Sequence, residues 1–426
     1  HQGIHFAWSK LQKTVNNLLF PIQTMGNQLV GLKGTPFHSR TEAATSTAEW
    51  YRWGDYVVVD VYDGVRQELA AMREQATVNE MSPLWKLAIT GADSLKLIND
   101  VVTRDISGQE VGQIIYTPWC NQEGKVVGDG LILREKEDSF ILVAGPNDEW
   151  FRSFSSGLDV DVVDVTDAFG ILAVQGPRSQ DVLESSTGTS FSDLPFSRSR
   201  TCELGGAQVR VIRQGFTGEL GYELWVEPDG AEDVWDALFE FGTPLGLVPA
   251  GEHAIDIARV EAGLLIIGSD YRGAGPWHGV DTYPDSRQEC SPRELNLGRF
   301  VDFSKEHFVG KQALLDEEAG GGPRDRLVGL ELTEDSVCRL MQIESGSVLS
   351  RVSRLVYQLS QGAQAVGYVT SLTWGYSLGK IIGLAHVESS VASEGTEVSL
   401  VWPLDGQQHL LNARIVGLPF RKHLRK

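Results

Sequence analysis

Apolar positions along the chain recur with two periods, and the places where the period changes divide it into elements. In residues 64–75, Val65, Leu69, Ala70 and Met72 fall on one side at spacings of three and four, which predicts an amphipathic helix. Residues 85–90 read as a strand closed by Gly91, and 92–101 as a helix with apolar Leu95, Leu97 and Ile98. Between 113 and 143, β-rich runs alternate with turns: Ile114-Ile115-Tyr116, Asn121-Gln122-Glu123-Gly124, Val126-Val127, Leu131-Ile132-Leu133 and Phe140-Ile141-Leu142-Val143. That alternation predicts an antiparallel meander, with a helix after it at 147–154.

The order then repeats in outline. A strand at 169–174, a helix at 178–184, strands at 207–212 and 222–226 and a helix at 230–241 follow, and a further helix at 251–262 closes the series. Strand–helix–strand–strand–helix order used twice predicts an α+β fold of two related halves over antiparallel sheets. Near the start, 43–52 reads as a helix leading into a strand at 56–59, while 1–35 supports no assignment and is treated as an N-terminal extension. Residues 272–298, rich in Gly, Pro, Asp and Ser, read as a long irregular connection of the kind that is often functional. Beyond Arg326 come short strands at 327–332, 347–349, 365–370, 381–387, 397–402 and 410–415, the spacing of a small β-barrel or sandwich. With Glu318-Ala319-Gly320-Gly321-Gly322-Pro323 as a boundary, the expected domains are 36–165, 166–318 and 326–426.

Composition narrows the function classes. A chain of 426 residues exceeds one ordinary core, so several domains are expected. The net charge of −20 argues against nucleic acid, whose phosphates need stripes of Lys and Arg. Only Arg421-Lys422-His423-Leu424-Arg425-Lys426 is basic, and it reads as a solvated tail. The longest apolar runs, 140–144 and 263–268, fall far short of the ~20 residues of a membrane-spanning helix. No secretory signal opens the sequence, and the opening His1 implies a trimmed or processed terminus. Cys120, Cys202, Cys290 and Cys338 lie far apart, which suits reduced thiols in a cytoplasmic compartment. Without an H-E-x-x-H or similar pattern, no protein-built metal site is expected.

Two acidic residues stand out. Asp129 lies between Gly128 and Gly130 at a strand bend, where neighbours without side chains allow close approach of a ligand; a turn-forming aspartate is the competing reading. Glu223 follows the glycine-rich loop Gly215-Phe216-Thr217-Gly218-Glu219-Leu220-Gly221 and sits between Tyr222 and Leu224 on a strand. If buried it needs donors; alternation alone also fits an exposed face. Trp374 and Tyr376 are suited to stacking on a flat ligand or to packing, and Arg259 to gripping a carboxylate or to a structural salt bridge. Walker, dinucleotide and hydrolase signatures are missing.

Seven pieces, none specific alone, occur in the order of the glycine-cleavage T-protein superfamily, which the chain resembles over about residues 36–421. They are Asn121 to Asp129, Gln175-Gly176-Pro177-Arg178, Gly215 to Glu223 (against G-Y-T-G-E-x-G-x-E), Arg259-Val260-Glu261-Ala262-Gly263, Phe308-Val309-Gly310-Lys311-Gln312-Ala313-Leu314, Gly367-Tyr368-Val369-Thr370-Ser371 and Leu418-Pro419-Phe420. The resemblance implies a three-lobed fold with two α+β domains, a C-terminal β-barrel-like domain and tetrahydrofolate in a central channel. It makes Asp129 the catalytic carboxylate and Glu223 the pterin-binding glutamate. Tyr116 and Val143 line the channel on this reading, with Tyr222, Arg259 and Trp374 as further cofactor contacts.

Departures shift the expected reaction. Ala254-Ile255-Asp256 replaces the A-R-D triplet of T-proteins, and Met81-Ser82-Pro83-Leu84 replaces their S-H-M segment. Gly124-Lys125-Val126-Val127-Gly128-Asp129-Gly130 and Ser291 to Phe303 look closer to the demethylase branch, which includes vanillate-type O-demethylases and dimethylsulfoniopropionate demethylase. Ile255, however, stands where the vanillate type has a tyrosine. The expectation is therefore methyl transfer from a small O-, S- or N-methylated donor to N5 of tetrahydrofolate. The alternative is aminomethyl or methylene transfer of the glycine-cleavage or dimethylglycine type. A non-catalytic folate-binding relative of the iron–sulfur branch fits less well, because 259–270 lacks that branch's cysteine.

Overall fold

The computed structural model describes residues 31–275, 288–343 and 349–422. The chain opens with β1 (Lys33–Gly34), α1 (His38–Ala44), β2 (Glu49–Trp53), β3 (Tyr56–Val61) and α2 (Val65–Glu74), the strands forming a small sheet in the order β1-β3-β2. The helix expected over 43–52 is thus a helix that stops at Ala44 and a strand. Thr45, Ser46 and Thr47 end it: their hydroxyls donate to the carbonyls of Val61 and Tyr62, a local competition that Ser and Thr offer the helical ladder.

Next come β4 (Ala76–Glu80), β5 (Trp85–Thr90), α3 (Ser94–Val101), β6 (Ile114–Cys120), β7 (Val126–Lys136), β8 (Ser139–Ala144), α4 (Asp148–Ser153) and β9 (Asp161–Asp164). The second half contains β10 (Gly170–Gln175), α5 (Ser179–Thr187), β11 (Ser199–Leu204), β12 (Ala207–Ile212), β13 (Gly221–Val226), α6 (Ala231–Gly242), β14 (Leu247–Pro249) and α7 (Glu252–Glu261). One sheet runs β6-β7-β8-β5-β9 and the other β11-β12-β13-β10-β4-β14. β4 therefore belongs to the second sheet although it precedes the first in sequence, so a cut at 165 does not separate the two halves cleanly. Short strands with ordinary alternation carry no label of the sheet they will join.

The last part holds α8 (Lys311–Ala319), β15 (Asp325–Leu332), α9 (Glu334–Ile343), β16 (Tyr357–Gln361), β17 (Gln364–Gly375), β18 (Lys380–Glu388), β19 (Glu397–Leu404) and β20 (Gln407–Val416). Its strands close into a barrel, β15-β18-β17-β16-β19-β20. Closure removes the free edges, and the interior is filled by Leu330, Leu359, Val369, Leu372, Leu400, Leu411 and Ile415. Helices α8 and α9 and strand β16 are additions to the expected elements. The strand expected at 347–349 and the aromatic candidates Trp277 and Tyr283 of the 272–298 connection lie largely outside the described residues. Among the described residues, no helix is long and apolar enough to cross a membrane.

The two large sheets turn their inner faces toward one cluster. Ile114, Leu133, Ile141 and Val143 come from the first sheet, Ile171, Ala173, Ile212 and Trp225 from the second, Ala254, Ile255 and Ala258 from α7, and Leu327, Ile382 and Leu384 from the barrel. Their outer faces are covered separately.

A buried polar cluster pins these parts together. Arg259 on α7 is fully buried; its Nε donates to Asp256 at 2.9 Å, its Nη1 to Asp270 and its Nη2 to Ser371 of the barrel at 2.9 Å. Asp270 also accepts from Ser371 at 2.6 Å, Thr370 at 3.0 Å and the Ile266 amide at 2.8 Å. Removing one member leaves the others charged or unpaired in a dry interior. Arg259→Met is therefore expected to cost about 3–5 kcal/mol, read as a lower urea midpoint.

Candidate functional site

Strand register builds the first wall. Tyr116 pairs with Leu131, Leu131 with Val143, and Val143 with Lys86, so these four side chains form one row on the inner face. Asp129, two residues before Leu131 on β7, points the same way. Its neighbours face the opposite side: a Cβ on Gly128 would meet the Trp119 indole at 2.6 Å, and one on Gly130 would meet the Val143 carbonyl at 2.4 Å. The flanking glycines thus admit an indole and a neighbouring strand, rather than a ligand as the sequence suggested.

Asp129 is half-buried and held at both oxygens. The Tyr116 hydroxyl donates to Oδ2 at 2.7 Å and the Tyr271 hydroxyl to Oδ1 at 2.5 Å. Burial lifts its carboxyl above the ordinary value, and the two phenols pull it back down. Tyr116 packs edge-on against Phe300 at 4.9 Å, and the guanidinium groups of Arg104 and Arg299 lie over the same ring.

The second sheet supplies the facing wall. Ala173 pairs with both Glu223 and Asn79, which puts Glu223 on the inner face beside Ile212 and Trp225. Trp225 Nε1 donates to Glu223 Oε2 at 3.2 Å. The other oxygen has no hydrogen-bond partner among the described residues. Burial raises this carboxyl too, opposed by the Trp225 bond and the charge on Lys86. The loop before β13 is stapled from below: Thr217 donates to Gln175 Oε1 at 3.0 Å, and Gln175 fills the space where a Cβ on Gly215 or Gly221 would sit. Arg73 grips the same loop through the Thr217 carbonyl and Glu219, and also pairs with Glu261.

A reduced pterin presents adjacent N–H donors and a flat apolar body. A buried carboxylate with an open oxygen, facing a row of Leu131 and Val143, fits that chemistry.

Asp129, Glu223, Tyr116 and Val143 thus meet at the same interior surface. Three other expected contacts do not. Tyr222 pairs with Val174 and packs in the outer core with Phe191, because period-two alternation sends it away from Glu223. Arg259 has its guanidinium donors engaged inside the protein, the structural salt-bridge outcome. Trp374 packs against the barrel core, whereas Tyr376 packs against the central cluster.

Two residues of the site were missed in the sequence. Tyr271 is a single tyrosine at the head of an irregular segment, with no motif around it. Lys86 had a weak signal, a lysine within a strand otherwise apolar on both faces. It is fully buried and donates to the carbonyls of Ser82 at 2.7 Å, Leu84 at 2.9 Å and Thr166 at 3.3 Å. Burial depresses its amine to about 8. Near it, Glu80 is buried and accepts from the Ser82 amide at 2.8 Å; burial lifts its carboxyl from 4.5 to about 7.

Glu80 yields a pH prediction. The folded protein keeps a proton that the unfolded chain loses above 4.5, so this contribution to stability is full below 4.5 and is lost as pH rises through about 7. Glu80→Gln removes the dependence. The unfolding free energy of the parent minus that of the variant should fall by roughly 3 kcal/mol across this window, at about 1.4 kcal/mol per pKa unit, in denaturant titrations at stepped pH.

Comparison with known proteins matches residues 37–276 to the GCVT N-terminal domain and residues 326–422 to the glycine cleavage T-protein C-terminal barrel domain. The aminomethyltransferase of Halothermothrix orenii is 30% identical over 395 residues, covering 91% of this chain and 100% of that protein. That of Bacillus subtilis is 30% identical over 368 residues, covering 85% and 92%. The crystal structure of glycine cleavage system aminomethyltransferase T from Bartonella henselae superposes with a TM-score of 0.75 at 23% identity, covering 92% of this chain and 99% of that one, which shows a common fold. Matched in both halves and along nearly the full length of these relatives, the chain belongs to the glycine cleavage T-protein family of tetrahydrofolate-dependent transferases.

Proposed function

We propose that the protein transfers a nitrogen-borne one-carbon unit, of the aminomethyl or methylene type, to tetrahydrofolate held between the two large sheets. The observation that carries this reading is the pair of carboxylates on facing walls, the half-buried Asp129 oriented by two phenols and the buried Glu223 with an open oxygen. The names of the relatives favour aminomethyl transfer over simple demethylation. Tetrahydrofolate, when bound, supplies the nucleophilic N5 that takes up the one-carbon unit. Glu223 accepts hydrogen bonds from the pterin edge and fixes its orientation. Asp129, half-buried and held by two phenols, accepts the proton released as the new carbon–nitrogen bonds form. The donor carbon's bonds to its sulfur and its amine nitrogen break, and the thiol and ammonia leave. Leu131 and Val143 exclude water from the space between them.

A second reading, methyl transfer from an O-, S- or N-methyl donor, is favoured by the Gly124-to-Gly130 and Ser291-to-Phe303 segments, which look closer to the demethylase branch, and by Met81-Ser82-Pro83-Leu84, which departs from the T-protein pattern. Product identity separates the two. Purified protein is mixed with tetrahydrofolate and either an aminomethyl-lipoyl donor or a panel of methoxy-aromatic, methylsulfonium and N-methyl compounds, and the folate is read by mass spectrometry. 5,10-Methylenetetrahydrofolate formed from the aminomethyl donor supports the first reading. 5-Methyltetrahydrofolate formed from one of the panel instead overturns it in favour of the second.

Two variants test the walls. Asp129→Asn keeps the shape but leaves a single oxygen to accept from the two phenols, and should lower kcat by about 100-fold or more with little change in cofactor affinity. Glu223→Gln should weaken tetrahydrofolate binding roughly 10- to 100-fold, from about 1.5–3 kcal/mol for a hydrogen bond to a charged group, as read by fluorescence titration.

A further inference from the structure

We propose that Tyr271 is a positioning residue for Asp129, its hydroxyl fixing the carboxylate's orientation and keeping it ready to accept a proton. The inference rests on the reading of Asp129 as the proton-accepting group of the central site. Tyr116 reaches Asp129 from the adjacent strand of the same sheet, as register alone allows. Tyr271 comes from 142 residues away in sequence, and the structure invests heavily in bringing it there.

The residue before it, Asp270, is tied to Arg259, Thr370, Ser371 and the Ile266 amide, and its carbonyl lies 2.9 Å from His386 Nε2. The Gly268 amide donates to the Tyr271 carbonyl at 2.8 Å, and the Ala274 amide to the Val126 carbonyl at 2.9 Å. Cys120, Val126, Cys290, Leu295 and Phe308 belong to the cluster that encloses its fully buried ring. The phenol is clamped at both ends of its segment, so its hydroxyl is held in place against Oδ1.

The chemistry follows from that geometry. A carboxylate with one phenol on each oxygen cannot turn about its terminal bond without losing both hydrogen bonds. Each oxygen keeps a second lone pair for an incoming proton. Burial and the Asp129 charge push both phenols well above their ordinary range, so they stay protonated and donate to the carboxylate oxygens. Donation to the charged form favours it and offsets the burial that would otherwise neutralise the acid. Besides Asp129 itself, the charge on Arg299 acts on Tyr116, Arg104 and Arg299 lie over the Phe300 ring that Tyr116 packs against, and the Cys290 thiol belongs to the cluster around Tyr271.

The test compares the full-length parent with Tyr271→Phe in two readouts. The first needs no cofactor: the carboxyl resonance of Asp129, labelled with 13C and assigned by its loss in Asp129→Asn, is followed through a pH titration. Loss of the phenol should move its midpoint up by about one unit, a tenfold change in proton affinity. The second is the acid limb of the kcat/KM profile, which should move in the same direction while tetrahydrofolate affinity stays within about threefold. Tyr271→3-fluorotyrosine keeps the shape and strengthens the donor, so both midpoints should move down; it also serves if the phenylalanine variant does not fold. Opposite shifts in the two variants support positioning, since loss of packing would not produce them. An Asp129 midpoint that stays fixed in the variant that folds overturns the proposal. If Asp129→Asn retains full activity while the resonance still shifts, the reading of Asp129 fails and the Tyr271–Asp129 coupling stands as a structural one.

Discussion

A guanidinium taken fully out of water must find an acceptor for its donors, or the fold cannot close around it. Arg259 meets that condition by drawing together three parts of the chain that share no local sequence. Asp256 is one turn away on its own helix, Asp270 lies on the segment beyond, and Ser371 is on the barrel. Without it, the barrel loses the Arg259–Ser371 bond to α7, and the segment carrying Tyr271 loses one of its anchors. An arginine that resembles a ligand contact in the sequence therefore works one layer behind the site.

The shared interior surface is a consequence of pleating. On each of the two large sheets, alternate residues face a common interior, and the acid on each wall belongs to that set. Neither acid is surrounded by compensating charge. Asp129 is steadied by neutral phenols and Glu223 by an indole N–H, with the charge on Lys86 also holding Glu223 down. Burial pushes both carboxyls upward, and hydrogen bonding restrains the rise. That balance suits groups that must hold or accept protons at the edge of a bound ring. Arg104 and Arg299 over Phe300 give the neighbourhood of Tyr116 a positive character that the net charge of −20 conceals.

The glycines beside Asp129 serve a different end from the one their position in the sequence suggests. Gly128 and Gly130 flank Asp129 and mark it out, yet they face the other side of the sheet and make room for Trp119 and β8. Gly215 and Gly221 likewise accommodate the Gln175 side chain beneath the loop that leads to Glu223. Close packing behind the wall, rather than ligand approach in front of it, requires these positions to lack a Cβ.

Local pattern was sufficient for much of the architecture. The meander at 113–143, the repeated α+β order and the run of short strands after Arg326 follow from period-two and period-3.6 alternation, which is a property of neighbouring residues. Asp129, Glu223, Tyr116 and Val143 were legible because each lies in a stretch whose order along the chain resembles a known family. What only the tertiary structure decided involves distance in sequence. β4 joins the second sheet, Tyr222 turns outward while Glu223 turns inward, Trp374 goes to the barrel core, and Arg259 closes on Asp270. Lys86 gains a place beside Val143 through pairing of β5 with β8, and Tyr271 reaches Asp129 across 142 residues. Local sequence sets which way a backbone bends and which face is apolar; which faces meet is settled by burial of the whole chain, and the second phenol on Asp129 exists only at that level.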